Sequence, residues 1–448
     1  MAKIKNNSER EKWSSDFGFL MASAGSAVGL GNLWKFPYLA GSSGGAIFLI
    51  FYFVLLVILG IPILLVEMSI GRKTRLNAIG ACEKIRKGWG FVGAIGIFGA
   101  FVILSYYNVI GGWIIKYLFT YIFQGHIINP DICFAEFSSS AFEPIIWLTV
   151  FLTFSALIVI NGVSGGIEKI SKIFLPLLLV FIIVLAVVSL ALPGSSAGVR
   201  FFLVPDFSTI NGFSDIAKIF LNAMGQVFFS LSLGMGTLIT YGSYLDKNAD
   251  IQKNSVAIPL IDTFIAIMAG FAILPAVFSF GMKPDAGAGL LFQTLPNVFE
   301  RMTAGRFLAI IFFLLVFFAG ITSSVSLLEV ITSYFIDNHN WERKKAVIIV
   351  SVAVGIMGIF ASLSFGAVKI NLFGMSFFDF LTFLSDKILM PIGGFLLCIL
   401  VGWLWGTKNI ADEISSDGKY KFRYEKLLSF SLRYLTPVMI LIILISSF

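Results

Sequence analysis

Apolar runs follow one another along the chain at roughly 15–38, 45–70, 90–124, 142–160, 167–192, 216–243, 255–283, 307–337, 345–361, 376–406 and 427–447, separated by short polar connections. At a rise of about 1.5 Å per residue, helices of this length cross a hydrocarbon core about 30 Å thick. No ten-residue alternation of the kind found in membrane β-barrels is present. The pattern predicts an all-α polytopic membrane protein with eleven transmembrane helices, called spans 1 to 11 below. Most lysines and arginines fall in the N-terminal segment, residues 1–14, and in the loops after spans 2, 4, 6, 8 and 10. The positive-inside rule then places the N-terminus in the cytoplasm and the C-terminus outside. The basic N-terminus lacks a small-residue cleavage site, so no removable signal peptide is expected. The polar stretch 406–426 is too short for a separate soluble domain.

Two runs do not read as plain helices. Span 1 contains Ala24-Gly-Ser-Ala-Val-Gly-Leu-Gly-Asn-Leu-Trp-Lys-Phe-Pro37, with three glycines, an asparagine, a lysine and a proline. Glycine weakens a helix by about 1 kcal/mol relative to alanine, and proline removes a backbone donor. In lipid, freed backbone groups need other partners, so such a run belongs where the backbone lines a cavity, or where glycines pack two helices closely. Span 6 repeats the irregularity in Gly225-Gln-Val-Phe-Phe-Ser-Leu-Ser-Leu-Gly-Met-Gly236. The two lie five spans apart and cross the membrane in opposite directions. That arrangement predicts an inverted repeat, 15–192 (spans 1–5) and 216–406 (spans 6–10), with span 11 (427–447) appended and a binding site near the midplane.

Composition narrows the chemistry. The chain is 58% hydrophobic and 13% charged with a mean hydropathy of +0.93, which excludes an ordinary soluble domain. Its net charge of +7 reflects basic loops rather than a nucleic-acid surface. Arg72-Lys73 and Arg343-Lys344-Lys345 read as topology determinants. Three scattered cysteines make no disulfide framework or metal cluster, and His126 and His339 fall in predicted loops. No nucleophile–base–orienter set is apparent, so an enzyme is not expected.

The remaining signals are polar residues inside spans. Glu67 lies near the end of span 2, where it snorkels to the interface or belongs to a site. Tyr107 in span 3 is a hydroxyl for packing or for an anionic group. Gly166 and Pro176 in span 5 mark a kink or a mobile segment. Asp262 in span 7 is the least expected charge; buried in a bilayer it must be protonated, paired with a lysine, or placed beside a cation. Span 8 adds Ala319-Gly-Ile-Thr-Ser-Ser324. Together with Asn32 and Ser230, these hydroxyls and amides suit a hard cation such as sodium.

Gly25 to Pro37, Gln226 to Gly236 and Ala319 to Ser324, in this order, resemble the neurotransmitter:sodium symporter family, of leucine-transporter-like fold. With eleven spans, the chain is similar to the bacterial subgroup that carries hydrophobic and aromatic amino acids across the inner (plasma) membrane. The resemblance implies a sodium at the Ala27 carbonyl, Asn32, Ser230 and Asp262. It implies a second at the Gly25, Val28 and Ala319 carbonyls and the Thr322 and Ser323 hydroxyls. The substrate carboxylate is expected at the Leu30 and Gly31 amides and the Tyr107 hydroxyl, and its ammonium at the Ala27 and Phe229 carbonyls and Ser230. The side-chain pocket is expected from Ile103, Tyr107, Phe229, Ser232, Met235, Ser323 and Leu327.

Departures from the family pattern add expectations. Chloride-dependent relatives carry a serine where this chain has Ala266, and a neutral asparagine where it has Asp262, although Tyr52, Gln226 and Ser230 match; no chloride requirement is expected. Lys35 replaces a common arginine of the outer gate, and the usual aspartate falls at Thr382, leaving Asp379 or Asp386 as partner. Arg10, Trp13, Tyr244 and Asp337 match the inner gate. The expected function is sodium-coupled import of hydrophobic or aromatic L-amino acids by alternating access. The alternatives are a proton-driven or sodium-independent transporter of the same fold and a non-transporting amino-acid sensor. The expected partners are the substrate and membrane lipid, with no nucleic acid.

Overall fold

The computed structural model describes residues 10–210, 212–282 and 289–446. Residues 1–9 of the N-terminal segment and the predicted span ends at 283 and 447 lie outside the described residues. Among the described residues, nine helical stretches are long and apolar enough to cross a membrane: Ala46–Thr74, Gly90–Phe123, Glu143–Ile160, Val163–Leu190, Ile251–Ser279, Gly305–His339, Arg343–Leu363, Phe377–Ile414 and Glu425–Ser446. They correspond to runs 2–5 and 7–11. Runs 1 and 6 are each cut in two.

In run 1, Ser15 caps a helix Asp16–Ala27 by accepting the Gly18 amide at 3.0 Å. The helix stops where Val28 turns extended (φ −73°, ψ 97°) and resumes through a wide turn, Gly31–Lys35, into Phe36–Ser42. Run 6 forms a helix Phe213–Ser230, loses it over the next six residues, and restarts as Thr237–Gly242. Within that break Ser232, Gly234 and Gly236 all take left-handed backbone conformations, with φ of 53°, 77° and 73°. Glycine adopts these without strain, and at Gly234 a Cβ would also lie 2.7 Å from the Met390 carbonyl. Ser232 bears a side chain there, at a cost of roughly 1–2 kcal/mol.

Both broken runs sit inside the bundle. The first half of span 1 packs on spans 5, 7 and 8, and the first half of span 6 packs on span 2. Outside them, Val57, Leu157, Val187, Leu260 and Val352 are each more than half exposed and form a hydrocarbon-facing exterior. Lipid tails are as apolar as leucine, so helix association relies on close packing rather than on the hydrophobic effect. Span 3 shows this against span 4. A Cβ on Gly111 or Gly112 would stand 2.5 Å from the Phe151 ring or the Leu148 amide.

Several expectations change in three dimensions. Glu67 does not snorkel; it is fully buried and accepts the Gly234 amide at 2.7 Å, bracing the break of span 6. Arg72 is more than a topology determinant: it is buried, 2.7 Å from both Glu413 Oε1 and the Ala249 carbonyl. At Gly406 (φ 93°, ψ 135°) the backbone leaves the helix of span 10, and a separate short helix, Thr407–Ile414, brings Glu413 to Arg72. His339 closes the helix of span 8 and is not a loop residue. All three cysteines are free.

Candidate functional site

The breaks of spans 1 and 6 border a small cavity. All the residues expected at the substrate, from Ala27 to Leu327, line it together, joined by Ser26 and Gly29. Ile103, Phe229, Met235 and Leu327 supply apolar wall. The Leu30 amide donates to the Tyr107 hydroxyl at 3.2 Å, so a backbone donor freed by the break and a phenol sit at one end of the cavity. Glycine is needed at that end. A Cβ on Gly29 would lie 2.5 Å from Ser323 Oγ, and one on Gly31 would lie 2.8 Å from the Phe229 ring.

Beside the cavity, Asp262 is fully buried. Asn32 Nδ2 donates to its Oδ1 at 2.8 Å and to its backbone carbonyl at 3.1 Å. Ser230 Oγ donates to Oδ2 at 2.8 Å, and the Tyr52 hydroxyl donates to the same oxygen at 3.3 Å. The lysine pair allowed by the sequence is not formed among the described residues; the donors are three neutral groups. Asn32 Oδ1 meanwhile accepts the Gly29 amide at 3.0 Å, so one side chain closes the break of span 1 and ties it to span 7. Gln226, matched to Tyr52 and Ser230 by sequence, turns instead to the Gly31 carbonyl at 3.0 Å. Ala266 is buried and brings no hydroxyl.

A second oxygen-rich seam joins spans 1 and 8. Ser323 Oγ donates to the Ser26 carbonyl at 3.1 Å and the Val28 carbonyl at 3.5 Å. Thr322 Oγ1 donates to the Phe318 and Ala319 carbonyls, both at 3.1 Å. Gly25 faces this seam, since a Cβ there would meet Thr322 Cβ at 3.4 Å and Ser171 Oγ of span 5 at 3.8 Å. Carbonyl and hydroxyl oxygens from two spans thus converge with no carboxylate among them, a donor set for a small hard cation.

The bundle is pinned on either side of the cavity. At one face Lys35 Nζ lies 2.6 Å from Asp386 Oδ2 and 4.2 Å from the centroid of Phe229, a wall of the cavity. Asp386 therefore takes the partner's place, while Asp379 is occupied with Ser376 at the start of its helix. At the other face Arg10 Nη1 lies 2.6 Å from Asp337 Oδ2, and the guanidinium covers the Tyr244 ring at 4.8 Å. Trp13 packs edge-on against Tyr241 at 5.1 Å and Tyr244 at 6.2 Å, and its Nε1 donates to the Tyr241 carbonyl at 3.0 Å.

The family profile of the sodium:neurotransmitter symporter family matches residues 10–143 and 140–448. The chain belongs to that family. It is therefore a multi-pass membrane transporter and not an enzyme. A sodium-dependent transporter of Haemophilus influenzae is 37% identical over 99% of each chain, and YhdH of Bacillus subtilis, also named as a sodium-dependent transporter, is 36% identical over 97% of each. The human sodium- and chloride-dependent taurine transporter is 25% identical over 96% of this chain and 77% of its own. Among solved structures, MhsT in complex with L-phenylalanine is 40% identical and superposes with a TM-score of 0.90 over 98% of this chain and 100% of its own.

Sequence reasoning missed several members of this symporter's polar network. Ser243 accepts from Arg10 Nη2 at 2.8 Å, and Asn77 donates to Asp337 through its backbone amide at 2.8 Å. Glu329 is fully buried between Arg343 Nη1 and the Tyr244 hydroxyl, both at 2.6 Å. Asn77 carried a legible signal as the cap of helix Ala78–Ile85, but its reach to Asp337 did not. The Tyr52–Asp262 contact joins residues with no local pattern in common.

Proposed function

We propose that this protein is a sodium-coupled symporter that imports hydrophobic or aromatic L-amino acids by alternating access and needs no chloride. The observation that carries the reading is the cavity itself: apolar on its walls, polar where the helix breaks, and lying between two ion pairs on opposite faces. In this reading the chain is an eleven-helix protein of two inverted halves, 15–192 and 216–406, with span 11 added and the Arg10 face cytoplasmic. Support comes from the matching positions of the two breaks and from the complex of MhsT with L-phenylalanine.

The substrate carboxylate takes the Leu30 and Gly31 amides and the Tyr107 hydroxyl, which are freed or positioned by the break. The ammonium takes the Ala27 and Phe229 carbonyls and Ser230. Ile103, Ser232, Met235, Ser323 and Leu327 surround the side chain, and their character favours leucine, phenylalanine, tyrosine or tryptophan over a charged substrate. One transported sodium is held by the Ala27 carbonyl, Asn32, Ser230 and Asp262. The other is held by the Gly25, Val28 and Ala319 carbonyls with Thr322 and Ser323. Asp262 supplies in place the negative charge that a chloride ion brings in relatives, with Tyr52 and Ser230 turned toward it.

Coupling is then linkage: cation and amino acid each favour the closed arrangement that binds the other. Lys35–Asp386 closes the outer side, and Arg10–Asp337 under Trp13 and Tyr244 closes the inner. Gly166 lies in the wide helical turn Val163–Glu168 and Pro176 lies within span 5, so that segment is the one to loosen and admit water to the Thr322–Ser323 seam.

Uptake of radiolabelled phenylalanine into proteoliposomes tests the reading. Replacing external sodium with potassium is expected to abolish uptake, replacing chloride with gluconate to leave it unchanged, and unlabelled leucine, tyrosine or tryptophan to compete. Uptake that persists without sodium overturns the coupling, and saturable binding without accumulation overturns transport.

A further inference from the structure

Three buried polar residues near the candidate site have no part in the function proposed above. Asn108 of span 3, Ser155 of span 4 and Ser324 of span 8 are fully buried and line no part of the candidate cavity. Ser324 Oγ donates to Asn108 Oδ1 at 3.2 Å and lies 2.8 Å from Ser155 Oγ. Asn108 Nδ2 donates to the Leu104 carbonyl at 2.7 Å. A carbonyl only accepts, so the amide nitrogen faces Leu104 and the amide oxygen faces Ser324. The single Ser324 proton is therefore spent on Asn108, and Ser155 is the donor to Ser324. The bonds run one way, from span 4 through span 8 to span 3.

Two of the three stand next to residues of the candidate site. Tyr107, before Asn108, accepts the Leu30 amide at 3.2 Å, and Ser323, before Ser324, donates to the Ser26 carbonyl at 3.1 Å. Consecutive residues point about 100° apart around a helix, so spans 3 and 8 each turn one side chain to the break of span 1 and the next to one another. Ser326 likewise accepts from Ser26 at 2.7 Å, while Thr322 bonds back to its own helix. The Ser323 and Ser326 bonds tie span 8 to the broken span; the Ser324 bonds tie it to spans 3 and 4 instead. The packing beside them is close and apolar, since a Cβ on Gly320 would lie 3.3 Å from the Phe151 ring. In a bilayer apolar side chains find equal company in lipid and fix the rotation of a helix weakly, whereas a rotation that parts these three leaves buried polar groups unpaired.

We propose that Asn108, Ser155 and Ser324 form a pin that fixes the rotation of span 8, and that this rotation aims the Thr322 and Ser323 oxygens at the second sodium. The three are positioning residues: they act on the ion through Thr322 and Ser323 and do not touch it. The inference rests on the role proposed above for that seam. Ligand oxygens keep their geometry when hydrogen bonds behind them hold the element that carries them, and loss of that support weakens the cation more than a ligand held by other elements. The amino acid, gripped by the breaks of spans 1 and 6, is such a ligand.

The test uses the full chain in detergent, with binding of radiolabelled phenylalanine measured against sodium at saturating amino acid and against amino acid at saturating sodium. In Ser324→Ala and in Asn108→Ala the sodium concentration for half-saturation is expected to rise about fivefold, or about 1 kcal/mol, with phenylalanine affinity at saturating sodium within about twofold of wild type. The double variant is expected to match either single variant instead of reaching about 25-fold, because both remove the same bond. Ser324→Thr, which keeps the hydroxyl, is expected to bind sodium as the wild type does. A structural role alone would lower the sodium-free melting temperature without separating the two affinities, and that outcome overturns the inference. So does an unchanged sodium requirement in Ser324→Ala protein that melts cooperatively, and so do additive losses in the double variant. Where neither alanine variant folds, Ser155→Ala decides: it leaves Ser324 bonded to Asn108 and is expected to raise the sodium requirement about twofold, and no rise overturns the pin. A pin that fails in this way leaves wild-type binding dependent on sodium and the proposed function standing, whereas wild-type binding independent of sodium removes both.

Discussion

Asn32 Nδ2 stands 2.8 Å from Asp262 Oδ1, while the oxygen of the same asparagine side chain accepts the Gly29 amide at 3.0 Å. The carboxylate of span 7 is thereby fastened to the very place where span 1 stops being a helix. Whatever binds at that carboxylate also sets the shape of the break, and the break lines the candidate cavity.

Replacing Asp262 with asparagine keeps the shape and removes the charge. We expect sodium affinity, measured by sodium-dependent thermal stabilisation or substrate binding in chloride-free medium, to fall at least about tenfold, or about 1.4 kcal/mol. Added chloride is expected to restore part of the loss in Asp262→Asn and to do nothing in the wild type. Unchanged sodium affinity in the variant would remove Asp262 from the ion site.

The glycines of the break provide a test with an internal control. A Cβ on Gly29 collides with Ser323 Oγ and approaches Tyr107, whereas one on Gly225 meets nothing within 4 Å. Gly29→Ala is expected to weaken phenylalanine binding about a hundredfold by forcing span 1 away from span 8, an effect of about 2.7 kcal/mol. Gly225→Ala should bind within about twofold of wild type, since an exposed or roomy helix position gains from alanine.

Lys35 and Asp386 are each about a quarter exposed, at 25% and 22% of their side-chain surface, so screening limits their pair to about 1 kcal/mol. Asp386→Ala is expected to raise the concentration of substrate needed for half-maximal uptake by roughly three- to fivefold. Asp379→Ala should leave it unaltered. The charge-exchanged double variant, Lys35→Asp with Asp386→Lys, is expected to recover part of the loss; equal effects at the two aspartates would contradict the assignment.

On the opposite face Arg10 is held by Asp337, Ser243 and the Tyr244 ring together. Arg10→Ala leaves Asp337 with Asn77 alone as its neutral donor and is expected to free the first half of span 1. Amide hydrogen exchange over residues 16–27 should accelerate about tenfold or more relative to wild type, with exchange in the Lys35 region little changed. Exchange that is unaltered over 16–27 would mean that this pair does not latch span 1.

Much of this protein was determined by its sequence, because membrane insertion depends on local properties. Run length, apolarity and the distribution of lysine and arginine fix where helices cross, and glycines at Gly25 to Gly31 and Gly234 to Gly236 fix where two of them cannot continue. The motifs around Asn32, Ser230 and Thr322 also marked residues that the fold brings close together, since backbone-exposing breaks and hydroxyl clusters are contiguous in the chain. What the tertiary structure decided was pairing between distant residues. It chose Asp386 over Asp379 for Lys35, drew Tyr52 to Asp262, buried Glu67 against Gly234, and joined Arg72 to Glu413 on the short helix after span 10. Side-chain reach across neighbouring helices depends on their relative rotation and depth, and no local pattern records those.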